Sequence, residues 1–195
     1  YFLSDQYIFK DLDLTLPSNK HIVITGPNGS GKSTLLGIIA GALKPKTGTA
    51  SVMSNNIGYV GVSPYIIPGT LRDNLLYGNE LKKSDNEIME LVDEFNLFSS
   101  NDLSALDRTI NRKSLSSGQL QKVSFMRTLL AETDLLLLDE STSNLDDNSR
   151  EKIFSILKNK KITIINSTHN PYDFEYDIRI KIIEGKESLS SIQIF

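Results

Sequence analysis

A glycine-rich run, "GPNGSGKST", occupies residues 26–34, after the apolar stretch "HIVIT" and before the helical pattern "LLGIIAGALK". The run satisfies G-x-x-x-x-G-K-[ST] in the strand-to-helix context that this phosphate-binding motif requires, so an ordinary glycine turn is the weaker interpretation. The glycines let successive backbone N–H groups face one anion, the helix adds its positive dipole end, and Lys32 adds a mobile charge. Ser33 is then the expected Mg²⁺ ligand. The predicted nucleotide contacts in this run are Gly26, Asn28, Gly29, Ser30, Gly31, Lys32, Ser33 and Thr34.

A second apolar run, "DLLLLDE", ends in two adjacent carboxylates. Mg²⁺ prefers oxygen ligands, and transfer of a γ-phosphoryl group to water needs a side chain that orients or deprotonates the water. We therefore predict that Asp139 belongs to the metal's ligand shell and that Glu140 polarises the attacking water. An acidic pair can also simply mark the end of a strand, and it is the phosphate loop elsewhere in the chain that favours the catalytic interpretation.

His169 follows the next apolar run, "ITIIN", in the stretch "STHNP". This places it where a third strand would end at the same edge of the sheet. An isolated histidine more often has a structural role, but this position favours one that senses or stabilises the γ-phosphate. The predicted catalytic residues are Glu140, His169 and Lys32.

Apolar runs and helical periodicity alternate along the chain and favour an α/β fold. The continuous apolar runs are typical of parallel strands buried on both faces, whereas "DLDLTL" alternates as a half-buried strand does. The predicted strands are 11–16, 21–25, 135–139 and 162–166, and the predicted helices are 33–43, 116–132 and 147–159.

Two further segments complete the predicted architecture. "SDNEIMELVDEFNLF" opens with a capping box from Ser84 to Glu87 and places Ile88, Leu91, Val92 and Phe95 on one helical face. The end of the chain alternates as a hairpin around Glu184 and Gly185. The expected fold is a P-loop NTPase with a mostly parallel sheet flanked by helices, an antiparallel β part and a helical subdomain.

Composition limits the function classes. With 195 residues, 39% of them hydrophobic, the chain is long enough for one sizeable core, and the absence of cysteine excludes disulfides and thiolate metal sites. No apolar run approaches the roughly 18 residues of a transmembrane helix. The 21 basic and 24 acidic residues form no Lys/Arg block, so we expect no nucleic-acid partner. The chain opens on "YFLSDQ" with no strand and turn ahead of it, and we expect it to be a piece of a longer protein.

The stretch "LSSGQ" at 115–119 stands at a predicted helix start, just ahead of the acidic strand. Here the chain resembles the nucleotide-binding domain of ABC transporters, whose LSGGQ signature is present with Ser117 in place of the first glycine. The other family motifs follow in order: Walker A at 26–33, Walker B ending in Asp139 and Glu140, the D-loop "SNLD" at 143–146, and the H-loop His169. The resemblance covers essentially the whole chain.

The resemblance implies one ABC ATPase domain, with an α/β core at 1–69 and 116–195 and a helical subdomain at about 70–115. It also implies ATP and Mg²⁺ as cofactors, and a head-to-tail dimer with a second, identical or different, nucleotide-binding domain. Each ATP would lie between the Walker A motif of one domain and the signature of the other. The family also stacks an aromatic side chain on adenine, for which Tyr1 is best placed and Phe2 second, although either can be an ordinary apolar end residue. The implied contacts outside Walker A are Tyr1, Ser116, Ser117, Gly118, Gln119 and Asp146.

One departure from the family pattern concerns the metal. A glutamine that touches Mg²⁺ and the attacking water follows the strand "IGYV" in this family, and here Val62 takes its place. The glutamines of the chain are Gln6, Gln119, Gln121 and Gln193, so a one-residue slip does not restore it. Valine cannot ligate a metal. Either water fills the position and turnover is slower, or the residue was changed, naturally or by engineering.

"PGTLRDNLLYG" at 68–78 is similar to a segment of exporter-type ABC proteins, although a proline-glycine turn with a short surface helix also explains it. This similarity implies a transmembrane partner domain, a location at the cytoplasmic face of a membrane, and export of an unknown substrate. Against it, the acidic stretch common before the signature of exporters is not evident in "DRTINRKSLSSGQ".

Three alternative functions require other sequence features. A GTPase fails because "NKKI" has isoleucine where the guanine-reading aspartate is required. A soluble ABC ATPase of DNA repair or translation would normally show two cassettes or a long coiled-coil insertion. An ATP-dependent dimerisation switch with little hydrolysis stays open because of Val62.

Overall fold

The computed structural model describes residues 7–98, 102–184 and 190–195. Its strands are β1 (His21–Thr25), β2 (Ile57–Val60), β3 (Gly69–Thr70), β4 (Thr109–Ile110), β5 (Leu135–Asp139), β6 (Thr163–Ser167), β7 (Ile178–Glu184) and β8 (Ser190–Ile194). Its α-helices are α1 (Lys32–Ile39), α2 (Leu71–Leu75), α3 (Asp85–Glu94), α4 (Ser117–Leu130) and α5 (Asp147–Lys158). Short 3₁₀ helices cover Leu103–Asp107 and Pro171–Asp173. None of the helices in the described ranges is long and apolar enough to cross a bilayer.

Six of the strands form one sheet in the order β2-β5-β6-β1-β7-β8. The pairs β5–β6, β6–β1 and β1–β7 are parallel, and β8 runs antiparallel to β7. The predicted strands 21–25 and 135–139 are confirmed without a shift, and β6 lies one residue beyond the prediction. The expected mostly parallel α/β architecture is therefore confirmed. The two strands of the predicted terminal hairpin pair as expected, while Gly185 lies outside the described residues.

The register of the parallel strands brings three strand ends to one level. Ile24, near the end of β1, is opposite Ser167, and Ser167 is also opposite Asp139, the last residue of β5. Continuous apolar residues hold this register, because β1 and β5 are buried on both faces. Whatever follows these strands in sequence therefore starts from the same edge of the sheet.

The chain divides into two compact units, each described here by itself. The first comprises the described parts of 1–59 and 161–195 together with 134–140, and its core is formed by β1, α1, β5, β6 and β7. The second comprises 60–133 and 141–160 and contains α2 to α5. The predicted boundaries of the core and the helical subdomain stay a prediction.

The predicted strand at 11–16 is wrong, because these residues form no regular element. Leu14 and Leu16 are half-buried against the apolar core, so the alternation in the sequence does report one covered face. A strand also needs a hydrogen-bonded neighbour, and no strand pairs with this segment in the part of the chain that the structure describes.

Two helices end earlier than their apolar patterns suggest. The sequence predicts the first over 33–43, but α1 ends at Ile39, and Gly41 lies in the left-handed region at φ 72°. The helix predicted over 116–132 ends at Leu130, and Glu132 has a left-handed φ of 52°. Leu43 is half-buried beyond the end of α1, so an apolar residue can pack without belonging to the helix.

The capping box predicted at Ser84 is confirmed. The Ser84 hydroxyl accepts a hydrogen bond from the Glu87 backbone N–H at 3.3 Å, and the Glu87 carboxylate accepts one from the Ser84 N–H at 2.8 Å. Ile88, Val92 and Phe95 are buried on the predicted face of α3. The cap and the apolar face together determine where this helix begins and how it packs.

We expect Ser84→Ala to reduce the free energy of unfolding by about 1 kcal/mol, because the first turn of α3 loses its side-chain acceptor. Urea unfolding followed by circular dichroism measures this change. Ser155→Ala is the matched control, since Ser155 lies on the exposed side of α5, within the helix. Equal losses in both variants would contradict the capping role.

A second prediction concerns His21, whose ring stacks on Phe174 with centroids 4.8 Å apart. Burial lowers the pKa of His21 below its usual 6.5, against the opposing effects of the Asp177 charge and a backbone hydrogen bond at Glu175. The folded state thus prefers the neutral ring, and its contribution to stability is lost as pH falls through and below about 6.5.

We expect His21→Gln to flatten the pH dependence of the free energy of unfolding between pH 7.5 and 5.5. Asp177 does not contribute to this slope. Its pKa is lowered below the usual 3.8, so its effect on the free energy of unfolding changes only at more acidic pH. A slope that survives the substitution would show that other groups produce it.

Candidate functional site

The glycine-rich loop joins β1 to α1 and places a helix N-terminus in a concave turn. Gly31 is the N-cap of α1, with a left-handed φ of 98° and no side-chain cap for the N–H groups of the first turn. A Cβ at Gly31 would lie 2.5 Å from Ile8 Cγ2 and 2.9 Å from Phe9 Cζ, so only glycine fits. At Gly29, with φ 79°, an added Cβ meets no described atom within 4 Å. Uncapped amides beside open space suit an anion such as a phosphate.

Lys32 brings a buried positive charge into this loop. Its side chain is 5% exposed, and its Nζ donates to the carbonyl oxygens of Gly26 at 3.1 Å and Pro27 at 3.0 Å. Its nearest described carboxylate partner is Glu140, at 3.8 Å. Backbone carbonyls carry no net charge, so the ammonium group retains most of its attraction for an incoming anion.

Asp139 ends β5 and is 8% exposed. Its Oδ1 accepts from the hydroxyls of Ser33 at 3.0 Å and Ser167 at 3.1 Å, and its Oδ2 accepts from the Tyr59 hydroxyl at 2.8 Å. Among the described residues, no basic side chain pairs with it. A nearly buried carboxylate that is contacted only by neutral hydroxyls has a charge that a metal cation would balance. The structure thus brings together Ser33 and Asp139, the two predicted Mg²⁺ ligands.

The metal chemistry fits these residues. The described ranges contain no cluster of three or more His, Cys, Asp or Glu side chains able to hold a metal ion. Mg²⁺ needs no such cluster, because it usually keeps several waters and is held by one or two protein oxygens and the phosphates of a substrate. Burial and the bond to Asp139 raise the pKa of Tyr59, so its hydroxyl stays a donor to the carboxylate.

Glu140 turns out of the strand immediately after Asp139. Its backbone has a φ of 49°, in the left-handed region, and its N–H donates to the Ser167 carbonyl at 3.0 Å. Its Oε1 lies 2.9 Å from His169 Nε2 and 3.8 Å from Lys32 Nζ. Lys32, Glu140 and His169, the three predicted catalytic residues, therefore form one contact group at the edge where their strands end.

The signature stretch in the second unit forms the start of α4. The Ser116 hydroxyl accepts from the Gln119 N–H at 3.2 Å, and Gln119 Oε1 accepts from the Ser116 N–H at 2.9 Å. Gln119 also donates to the Leu97 carbonyl at 3.0 Å, whereas Ser117 is exposed. The first turn of α4 contains no acidic residue, so its positive dipole end is not balanced by a side chain. A Cβ at Gly118 would make only an ordinary contact, 3.5 Å from the Asn144 carbonyl.

Residues 9–143 match the family model described as ABC transporter. The chain belongs to the ABC transporter family. It is 35% identical over 186 residues to the ATP-dependent permease MDL1 of Candida albicans, covering 83% of this chain and 27% of that protein. It is 30% identical over 200 residues to the lactococcin-A transport/processing ATP-binding protein LcnC of Lactococcus lactis subsp. lactis. This alignment covers 94% of this chain and 28% of that protein. The chain therefore spans little more than a quarter of these relatives.

The solved structure of a bacterial Atm1-family ABC exporter with ATP bound matches with a TM-score of 0.80, over 96% of this chain and 36% of that one. At 21% identity this likeness shows the fold, which is that of a P-loop ABC ATPase. The chain is an ATP-binding domain of the ABC transporter family.

The remaining predicted residues of this ABC domain are placed as follows. Asn28 is exposed, Ser30 is buried and Thr34 is half-buried in the first turn of α1. Asp146 is the N-cap of α5, and its carboxylate accepts from the Ser149 N–H and hydroxyl, both at 2.8 Å. The Ser149 backbone bond lowers the pKa of Asp146. Tyr1 and Phe2, predicted to stack on adenine, lie outside the described residues.

The loop that carries Val62 is held through its backbone. Val62 is 45% exposed, and its carbonyl accepts from Asn144 Nδ2 at 3.3 Å. The fully buried Gln121 donates to the carbonyls of Gly61, at 2.9 Å, and Ser141. Sequence reasoning missed Gln121 and Tyr59, because no motif marks either residue. It also missed the capping roles of Ser116 and Asp146, although S-x-x-Q and D-x-x-S before a helix are readable signals.

We expect Lys32→Ala to weaken ATP binding by about 10- to 100-fold, because a hydrogen bond to a charged group contributes about 1.5 to 3 kcal/mol. Calorimetric titration of the 195-residue chain with ATP measures the affinity. Lys44→Ala, which removes an exposed lysine of the same unit, is the control and should bind as the unsubstituted chain does. Equal affinity for all three proteins would remove Lys32 from the phosphate site.

Proposed function

We propose that this ABC domain hydrolyses ATP to ADP and phosphate and powers export by a transporter of which it is the nucleotide-binding domain. The observation that carries this proposal is the contact group of Lys32, Glu140 and His169 beside the Ser33–Asp139 pair. Phosphoryl transfer to water requires a cation for the phosphates, a carboxylate that binds the metal and a carboxylate that orients the water. Side chains suited to all three tasks lie at this one edge of the sheet.

Each side chain has a distinct task in the proposed reaction. Lys32 and the loop amides bind the outer phosphates, and Ser33 and Asp139 hold Mg²⁺, which neutralises charge on the phosphates. Glu140 orients the attacking water for in-line displacement. His169 Nε2 holds the Glu140 carboxylate through the oxygen that Lys32 also approaches, and it stabilises the γ-phosphate.

The proposed assembly is a head-to-tail dimer with a second nucleotide-binding domain. In this dimer, the phosphates of each ATP would lie between the glycine-rich loop of one domain and the N-terminus of α4 of the other. The first turn of α4 contains no acidic side chain that would repel a phosphate, which supports this role. Ser116, Ser117, Gly118 and Gln119 face the γ-phosphate of the partner's ATP, and Asp146 acts across the same interface. Binding closes the dimer and hydrolysis reopens it, so that the reaction drives a conformational cycle.

We place the domain at the cytoplasmic face of a membrane, docked to a transmembrane domain through the surface of residues 62–78. Exposed apolar side chains on this surface support the proposal: Val62, Tyr65 and Tyr77 are each at least 45% exposed. The Tyr65 and Tyr77 rings lie 5.9 Å apart. The relatives named as a permease and as a transport/processing protein are between three and four times as long as the aligned region, which leaves room in them for such a domain.

Val62 favours a second candidate, an ATP-dependent dimerisation switch with little hydrolysis. An apolar side chain at this position offers the metal and the water no ligand, which would slow chemistry without preventing ATP binding.

Steady-state phosphate release by the purified chain in Mg²⁺ and ATP, at several protein concentrations, tests the proposal. We expect Glu140→Gln to lower turnover by about 100-fold or more, since a positioned base contributes 10²- to 10⁴-fold, while ATP affinity is retained. Glu151→Gln, an exposed change on α5, should leave turnover unaltered. Val62→Gln should increase it, and activity should rise more than linearly with protein concentration.

The outcomes separate the candidates. Unchanged phosphate release by Glu140→Gln would show that the catalytic assignment is wrong. ATP binding without turnover in the unsubstituted chain and in Val62→Gln would favour the switch.

A further inference from the structure

Tyr59 is an exposed aromatic residue whose polar end is bound to a nearly buried charge. It lies in β2, the strand beside β5, between the buried residues Gly58 and Val60. The residue is 42% exposed, yet its hydroxyl donates to Asp139 Oδ2 at 2.8 Å. A tyrosine that served only to cover the sheet would not need this contact, since an exposed hydroxyl is satisfied by water.

The two oxygens of Asp139 have different partners. Oδ1 accepts from Ser33 and Ser167, whereas Tyr59 is the donor to Oδ2 among the described residues. The terminal torsion of an aspartate has a broad, roughly two-fold preference, so the side chain alone does not fix the plane of its carboxylate. Donors on both oxygens do fix it. The phenol therefore completes the constraint that the two serines begin.

A phenol is also a suitable donor for a metal-binding carboxylate. A lysine or arginine in its place would neutralise Asp139 and compete with a cation, whereas a tyrosine hydroxyl orients the carboxylate and leaves its net charge. Partners of this kind behind a metal ligand typically change metal affinity by 10- to 100-fold when they are removed.

The first unit brings together two oxygen-bearing side chains of the kind that Mg²⁺ prefers, those of Ser33 and Asp139. Tyr59 reaches one of these two residues directly.

We propose that Tyr59 is a positioning residue that holds the Asp139 carboxylate in its Mg²⁺-binding orientation. The inference rests on the proposed function, since it concerns the metal that accompanies ATP.

The test is Tyr59→Phe, which removes the hydroxyl and keeps the ring. Binding of Mn²⁺ in the presence of ATP, followed by the electron paramagnetic resonance signal of free Mn²⁺, measures metal affinity without turnover. We expect affinity for the metal to fall by about 10- to 100-fold. ATP affinity in EDTA should be unchanged. Tyr172→Phe, at an exposed tyrosine of the same unit, is the matched control and should bind Mn²⁺ normally.

A double-mutant cycle shows whether Tyr59 acts through Asp139. If it does, Tyr59→Phe combined with Asp139→Asn loses no more metal affinity than Asp139→Asn alone. Additive losses would overturn the proposed route through Asp139.

The failure of this inference is distinguishable from that of the proposed function. Normal Mn²⁺ affinity in Tyr59→Phe, with ATP still bound, overturns the role of Tyr59 and leaves the ATPase proposal standing. If the unsubstituted chain binds no ATP with or without metal, both fail.

Discussion

The site depends on the register of three parallel strands. Because Ile24 and Asp139 are both opposite Ser167, β1, β5 and β6 end at one level, and the residues that follow them start from one edge. Side chains alternate between the two faces of a strand, so a slip of one residue in β5 would turn Asp139 away from Ser33. The unbroken apolar residues of these strands therefore act on function as well as stability, since their packing fixes where the polar residues lie.

Two buried charges of opposite sign share this edge, and each is held by neutral groups. Lys32 donates to backbone carbonyls and Asp139 accepts from hydroxyls, while the contact of Lys32 with a carboxylate is the longer one to Glu140. A close Lys32–Asp139 pair would stabilise both charges and weaken the attraction of each for a ligand. Because they do not pair with each other, each keeps its charge for the ligand that we propose for it, phosphate at Lys32 and a cation at Asp139.

Much of this arrangement was predictable from the sequence, because it follows from local patterns. The phosphate loop, the apolar strands at 21–25 and 135–139 and the cap at Ser84 each have a signal within a few residues. The strand predicted at 11–16 was wrong because the polar–apolar alternation shows only that one face of the segment is covered. It carries no information about whether another strand pairs with it. Tyr59 was missed for a related reason: its partner is 80 residues away, and only the sheet order brings them together.

The left-handed backbone conformation of Glu140 costs the fold free energy at the position where we propose a catalytic side chain. A residue with a Cβ is disfavoured there by roughly 1 to 2 kcal/mol, a cost that glycine avoids and asparagine reduces. In this conformation the carboxylate contacts His169. The residue type that folds best at this position, glycine, has no side chain for the proposed task of orienting water. If Glu140 has its proposed role, selection of this domain for thermal stability alone would tend to enrich inactive proteins.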